Sequence, residues 1–317
     1  MPNSLSQNIL STIAYYDVLD YPLTVFELWK YLISNPSYAK AMVGKQGEGR
    51  VMLVDIINEL ENEELKKQIE TYRGYYFLNG RKDLVAQRIY RNKISEEKYR
   101  IIRRVVWFLR LVPFVRMILA TGRVAMKNAD QKSDLDFLVC LKKDRIFIGR
   151  SLVTLAVHLL GKRRYGKKVT NRICLNYFIT TNSLEIEMQD LFASSEYFFA
   201  VPLFGFHYFK KFSQANNWIG KYHKNYMSAI TPGLKLIKDS YFSKLIRSIG
   251  EKIFNFDFLE QRLKKWQVQR IEADPRTKRS GSLIVADDNS LVFLPDPQGP
   301  KVFEAFKSRM EKIAGEQ

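Results

Sequence analysis

The chain has 317 residues, 46% of them hydrophobic and 13% aromatic, with 51 Lys and Arg against 33 Asp and Glu for a formal charge of +18. That describes a globular chain of two or three domains. No apolar run reaches spanning length, since Arg110, Pro113 and Arg116 interrupt the nearest one, Arg104 to Gly122. A membrane partner is therefore not expected.

The amino terminus, Met-Pro-Asn-Ser-Leu-Ser, has no basic region followed by an apolar core, so no secretion signal is read and a cytoplasmic setting is expected. Cys140 and Cys174 are too few for a disulfide framework or a zinc site and read as buried reduced thiols.

Residues 1–92 carry 11 Lys and Arg and 11 Asp and Glu, a neutral segment. Ser4 to Ala14 reads as a helix, closed by the aromatic turn Tyr15 to Pro22. Thr24 reads as the N-cap of a second helix, with Glu27 completing a capping box. A polar connection, Gly44 to Arg50, leads to a third helix expected over Val51 to Leu65. Ile69 to Leu78 reads as a hairpin around Arg73-Gly74. This order of helices and hairpin resembles a winged helix-turn-helix, a likeness of architecture without a specific motif. The expected third helix carries Asp55, Glu59, Glu61, Glu63 and Glu64, and an acidic face meets phosphates badly. The segment is thus expected to be a structural or protein-docking module.

Residues 93–235 carry 25 Lys and Arg against 10 Asp and Glu. So concentrated a positive charge favours a polyanionic partner, nucleic acid first. Lys93 to Leu111 reads as a long helix capped by Ser95, with Lys98, Arg100, Arg103, Arg104 and Arg110 on its outer face. Val115 to Ala120 reads as a buried strand, Gly122 as a turn that brings main-chain N–H groups near a ligand, and Asp134 to Cys140 as a second strand. Asp134 and Asp136 share one face of that strand because side chains alternate. Burying two bare carboxylates side by side is costly, and the arrangement makes sense around a divalent cation. Oxygen donors favour magnesium or manganese over zinc.

The stretch Ser133-Asp134-Leu135-Asp136-Phe137-Leu138-Val139, with Gly122 ahead of it, resembles the signature of the DNA polymerase β-type nucleotidyltransferase superfamily. The resemblance implies a core with a small mixed sheet, Mg2+ or Mn2+ on Asp134 and Asp136, and an NTP whose triphosphate meets Gly122, Arg123 and Ser133. Arg123 stands where the family has a Ser. A Ile146 to Leu160 helix and a basic loop follow, with Lys162, Arg163, Arg164, Lys167, Lys168 and Arg172 expected to contact nucleic acid. The next strand, Ile173 to Ile179, usually carries the family's third carboxylate. Its alternating face is expected to hold Cys174, Asn176 and Phe178, which puts Asn176 at the catalytic position. Glu185 and Glu187, on a short edge strand, are the nearest replacements.

Leu191 to Ala200 reads as helical, the aromatic stretch Val201 to Tyr226 as core, and His158, amid Leu and Val, as buried. Residues 236–317 read as a mainly helical region with a hairpin around Asp287-Asp288. The expected fold is thus α+β: a winged-helix-like unit over 1–92, a nucleotidyltransferase-like core over 93–235 and a helical tail. Four functions stand: nucleotide transfer from an NTP to a hydroxyl, the acceptor being nucleic acid; the same transfer to a small molecule or protein; a nucleotide- or nucleic-acid-binding protein that has lost catalysis; and a transcription regulator using the winged helix with the core as nucleotide sensor. The acidic third helix weighs against the last.

Overall fold

Near-continuous apolar runs in the strands between Val115 and Thr180 build the centre of the molecule, and the rest of the described chain packs on it or extends it. The computed structural model describes residues 4–34, 50–228, 233 and 235–315. The connection expected over residues 44–49 lies outside them.

The chain opens with α1 (Ser4–Val18), which carries on through Tyr15 and Tyr16 because both rings are buried. After β1 (Leu23–Thr24), helix α2 (Val25–Lys30) begins at Thr24 with its capping box formed: Glu27 N donates to Thr24 Oγ1, and Thr24 N to Glu27 Oε2. The third helix is broken in two, α3 (Leu53–Glu59) and α4 (Glu63–Lys66). Asn62 causes the break, its side chain accepting from Glu64 N to start α4 afresh. β2 (Ile69–Tyr72) and β3 (Tyr75–Leu78) form the expected hairpin, with positive φ at Arg73 and Gly74. The small sheet has the order β1-β3-β2.

Helix α5 runs from Asp83 to Leu109 and so crosses residue 92 without interruption. Ser95 is not its cap. It lies mid-helix, its hydroxyl donating to Arg91 O and accepting from Ala129 N. Nor does Lys98 face outward: it is only 2% exposed. The strands β4 (Val115–Ala120) and β5 (Leu135–Leu141) follow, separated by the short helix α6 (Gly122–Ala125). Helix α7 (Ile146–Leu159) then crosses over to β6 (Ile173–Thr180), parallel to β5. Next come α8 (Leu191–Phe198), β7 (Val201–Phe204) and α9 (Phe206–Ala215). The chain closes with α10 (Tyr241–Phe254), α11 (Asp257–Glu272), the hairpin β8 (Leu283–Ala286) and β9 (Ser290–Leu294), and α12 (Gln298–Gly315).

The central sheet has the order β7-β4-β5-β6-β9-β8, with only β5 and β6 parallel. One face packs Phe137, Val139 and Phe178 against α5 and α7, and the other packs Leu138, Cys140 and Ile179 against α8 and α9. The tail hairpin completes this sheet through β9. A further core joins α1 and α2 to α8 and α12, where the ring of Phe306 meets Tyr15 edge-on at 5.6 Å. Residues 1–92 and 236–317 thus share buried cores with the centre. Among the described residues no helix is long and apolar enough to cross a membrane.

Candidate functional site

Three strand ends meet at one edge of the central sheet: the carboxyl end of β4 and the amino ends of β5 and β6. The chain leaves β4 at Thr121, whose N–H donates to Asp136 O at 3.1 Å, and turns at Gly122 with φ +63°. A Cβ on Gly122 would sit 2.6 Å from Asp136 Oδ2, so glycine is needed here for both conformation and space.

The loop from α6 to Asp134 is held by one face of α5. Arg88 Nη1 donates to Lys127 O, Arg91 Nη1 to Asn128 Oδ1, Ser95 Oγ accepts from Ala129 N, and Lys98 Nζ donates to Gln131 O and Ser133 O. These four residues follow a three-four-three spacing, which places them on one side of a helix. Lys98 Nζ also donates to Asn171 Oδ1 at 2.6 Å, tying in the start of β6.

Asp134 and Asp136 are both half-buried, and their carboxylate oxygens lie within 4.8 Å of each other and of Cys174 Sγ. The basic loop folds back on β6 through a bridge between Arg163 and Ile173. It delivers Arg164, whose Nη1 donates to Asp134 Oδ2 at 2.5 Å and to Cys174 Sγ at 3.2 Å. Burial pushes the Asp136 carboxyl up to about 7, with the charges of Asp134 and Glu196 adding to the effect and Arg164 opposing it. The Cys174 thiol is raised by burial and then by both aspartates, so it stays neutral.

Glu196 on α8 is a further acid here that sequence motifs do not mark. Burial, and then Asp190, push its carboxyl up to about 7 against a hydrogen bond with Thr121.

Asn176 does not take its expected place. Asp136 pairs with Cys174, but Leu138 pairs with Tyr177, so an extra residue is accommodated at Leu175-Asn176. Beyond this bulge the alternation reverses, and Phe178 points to the α7 face while Tyr177 and Ile179 point to the α8 face. Cys174 is the β6 residue beside the acid pair. Glu185 and Glu187 are exposed in a loop rather than on a strand, and Gln189 Nε2 donates to Glu185 Oε1 at 2.7 Å.

Arg123 and Ser133 are engaged with Asp130: Arg123 Nη1 donates to Oδ2 at 3.2 Å and Ser133 Oγ to Oδ1 at 3.0 Å. In the basic loop Lys168 Nζ donates to Tyr165 OH, Arg172 donates to Gly161 O, and Lys162 O accepts from Ile173 N. Arg163 and Lys167 are exposed, and His158, contrary to expectation, is exposed too.

Two hard carboxylate donors with a raised proton affinity at one of them are a set that a divalent cation satisfies. The neutral thiol brings no charge of its own. No family model matches the chain, and neither a curated protein nor a solved structure matches it.

Proposed function

We propose that the chain transfers a nucleotide from an NTP to a hydroxyl, and that Asp134 and Asp136 hold the Mg2+ or Mn2+ for that reaction. The observation that carries the reading is the meeting of both carboxylates with Gly122 at the open end of a mixed sheet, where Gly122 leaves no side chain over Asp136. A cation bound there would neutralise phosphate charge and stabilise the attacking and leaving oxygens of an in-line displacement. Arg164 pairs with Asp134 and brings a guanidinium to the place where phosphate charge would gather. Arg123 faces the same end of the sheet, held by Asp130. Glu196, whose charge bears on Asp136, replaces Asn176 in this reading as the further carboxyl. The acceptor is nucleic acid, in keeping with the excess of 25 basic over 10 acidic residues in 93–235. The order β1-β3-β2 behind the amino-terminal helices supports a winged-helix-like unit there, with a docking role.

One observation favours a second reading, a nucleotide-binding protein without turnover: Asn176 at the bulge supplies no third charge, and Arg164 sits on Asp134.

The test is a thermal melt with Mg2+ or Mn2+ and each NTP in turn, followed by transfer from labelled NTP to RNA, DNA and protein acceptors. A ligand at a hundred times its dissociation constant adds about 2.7 kcal/mol, and Asp134→Ala removes the gain. No stabilisation of the wild type by any NTP sinks both readings. Stabilisation without transfer leaves the second.

A further inference from the structure

An open groove of about 530 Å³ lies between α7 and α11, where β9 reaches them. This is within the size range of small-ligand sites. Arg150 forms its half-buried floor, with Nη1 donating to Gln267 Oε1 at 2.6 Å. Arg163 and Arg270 stand exposed around it, and Arg276, paired with Asp274, stands beside them. Among the described residues no carboxylate pairs with Arg150, Arg163 or Arg270. Burial, and then the like charges of Arg163 and Arg270, push Arg150 down to about 10. Such a cluster is relieved by an anion.

The groove also has an aromatic wall. Trp266 is 54% exposed with the Arg270 guanidinium 5.4 Å from its ring, and Arg276 lies 5.0 Å from the ring of Phe293. Phosphate-binding cations beside an open indole face are the two elements that hold a strand whose bases are unstacked.

We propose that this groove binds single-stranded nucleic acid, phosphates on Arg150, Arg163 and Arg270 and a base on Trp266. The inference deepens the acceptor part of the function proposed above and rests on it. Arg163 lines the groove while its chain neighbour Arg164 touches Asp134, so the groove opens at the same end of the sheet as the acid pair. A strand lying in it would pass one residue from Arg164 and so near the acid pair. A duplex fits poorly, because its base faces are already stacked on one another.

The experiment is fluorescence anisotropy of the full chain with a labelled single strand of roughly 12 nucleotides, about the site size of such modules. It is run in EDTA without nucleotide. Binding then owes nothing to the metal and NTP reading, and variants isolate the groove's share. The double variant Arg163→Glu/Arg270→Glu should bind at least ten-fold more weakly, with a salt slope smaller by about 1.4, or about 0.7 for each lost phosphate contact on a single strand. Trp266→Ala should weaken binding about ten-fold through lost stacking. All three side chains are exposed, and wild-type melting temperatures confirm folding. Wild-type affinity and slope in these variants would overturn the proposal, as would competition by a duplex as strong as by a single strand. Displacement of the strand by equal amounts of a nucleoside monophosphate would overturn it too, showing a site for free nucleotide.

Discussion

His223 makes the stability of this protein depend on pH in a way that can be isolated. The ring is fully buried, with Nδ1 3.0 Å from Tyr31 O and Nε2 3.2 Å from Ser194 Oγ and 3.4 Å from Ser195 Oγ. The ring of Phe198 closes the other side at 5.1 Å. Nδ1 must carry the proton, since the Tyr31 carbonyl can only accept. A second proton on Nε2 would put an uncompensated charge in this core. Burial accordingly pushes the imidazole down to about 4, against the Tyr31 hydrogen bond. An unfolded histidine titrates near 6.5. Between those values the unfolded chain binds a proton that the folded chain refuses, so the contribution is complete above about pH 6.5 and is lost as pH falls towards 4. Each unit is worth about 1.36 kcal/mol, which gives about 2 kcal/mol between pH 7 and 5 and about 3 kcal/mol over the whole window. The loss should fall on one seam, because Ser34 N donates to Tyr222 O and Lys224 N to Leu32 O on either side of the ring. Urea unfolding followed by tryptophan fluorescence, wild type against His223→Asn, separates this effect from other acid-sensitive groups. The variant carries a constant packing penalty but lacks the proton. Stability profiles that run parallel from about pH 7 to 5 would refute the argument.

Two further substitutions test the frame around the site. Gly205 joins β7 to α9 with φ +78°, and a Cβ there would lie 1.9 Å from Arg116 O, a backbone atom that cannot step aside. Gly205→Ala should cost about 3 kcal/mol or more, and a urea midpoint near wild type would count against the backbone geometry. Lys98→Met keeps the buried stem but removes the donor to Gln131 O, Ser133 O and Asn171 Oδ1. The expected loss is about 3 kcal/mol, since three acceptors lose a charged donor together. Hydrogen exchange should show the Ser133 and Leu135 amides losing protection ahead of those of β4, whereas unchanged exchange at Ser133 would mean that the loop is held by other contacts.

Local chemistry was legible in the sequence, and long-range chemistry was not. Thr24 with Glu27, Arg73-Gly74 and the apolar runs of β4, β5 and β6 signal their structure within a few residues, and each forms where it was expected. Ser95 misled because a hydroxyl in a helix can serve its own preceding turn as readily as cap a new one. Lys98 could have been placed: it sits four residues from both Ile94 and Ile102, on the apolar stripe rather than opposite it. The bulge at Leu175-Asn176 has no such signal. One inserted residue reverses the face of everything after it, which is how Cys174 rather than Asn176 comes to lie beside Asp136. Glu196 bears on Asp136 only because α8 packs on the sheet, and the groove joins Arg150 to Trp266, residues over a hundred positions apart.

The Arg164–Asp134 contact connects these parts. Held alone, Asp134 and Asp136 would repel each other, and the raised proton affinity of Asp136 comes from burial first and from the charge of Asp134 next. Arg164 supplies one counter-charge to a site with at least two carboxylates, and it does so from a loop whose backbone is pinned to β6 at Arg163 and Ile173. On the reading proposed above, a divalent cation and this guanidinium seek the same Asp134 oxygen. Arg164 would then be freed where phosphate charge is greatest, one residue from the arginine that lines the groove. On that reading the main-chain bridge between Arg163 and Ile173 would let the side chain change partner while the loop stays on β6, keeping the acid pair and the basic surface in register.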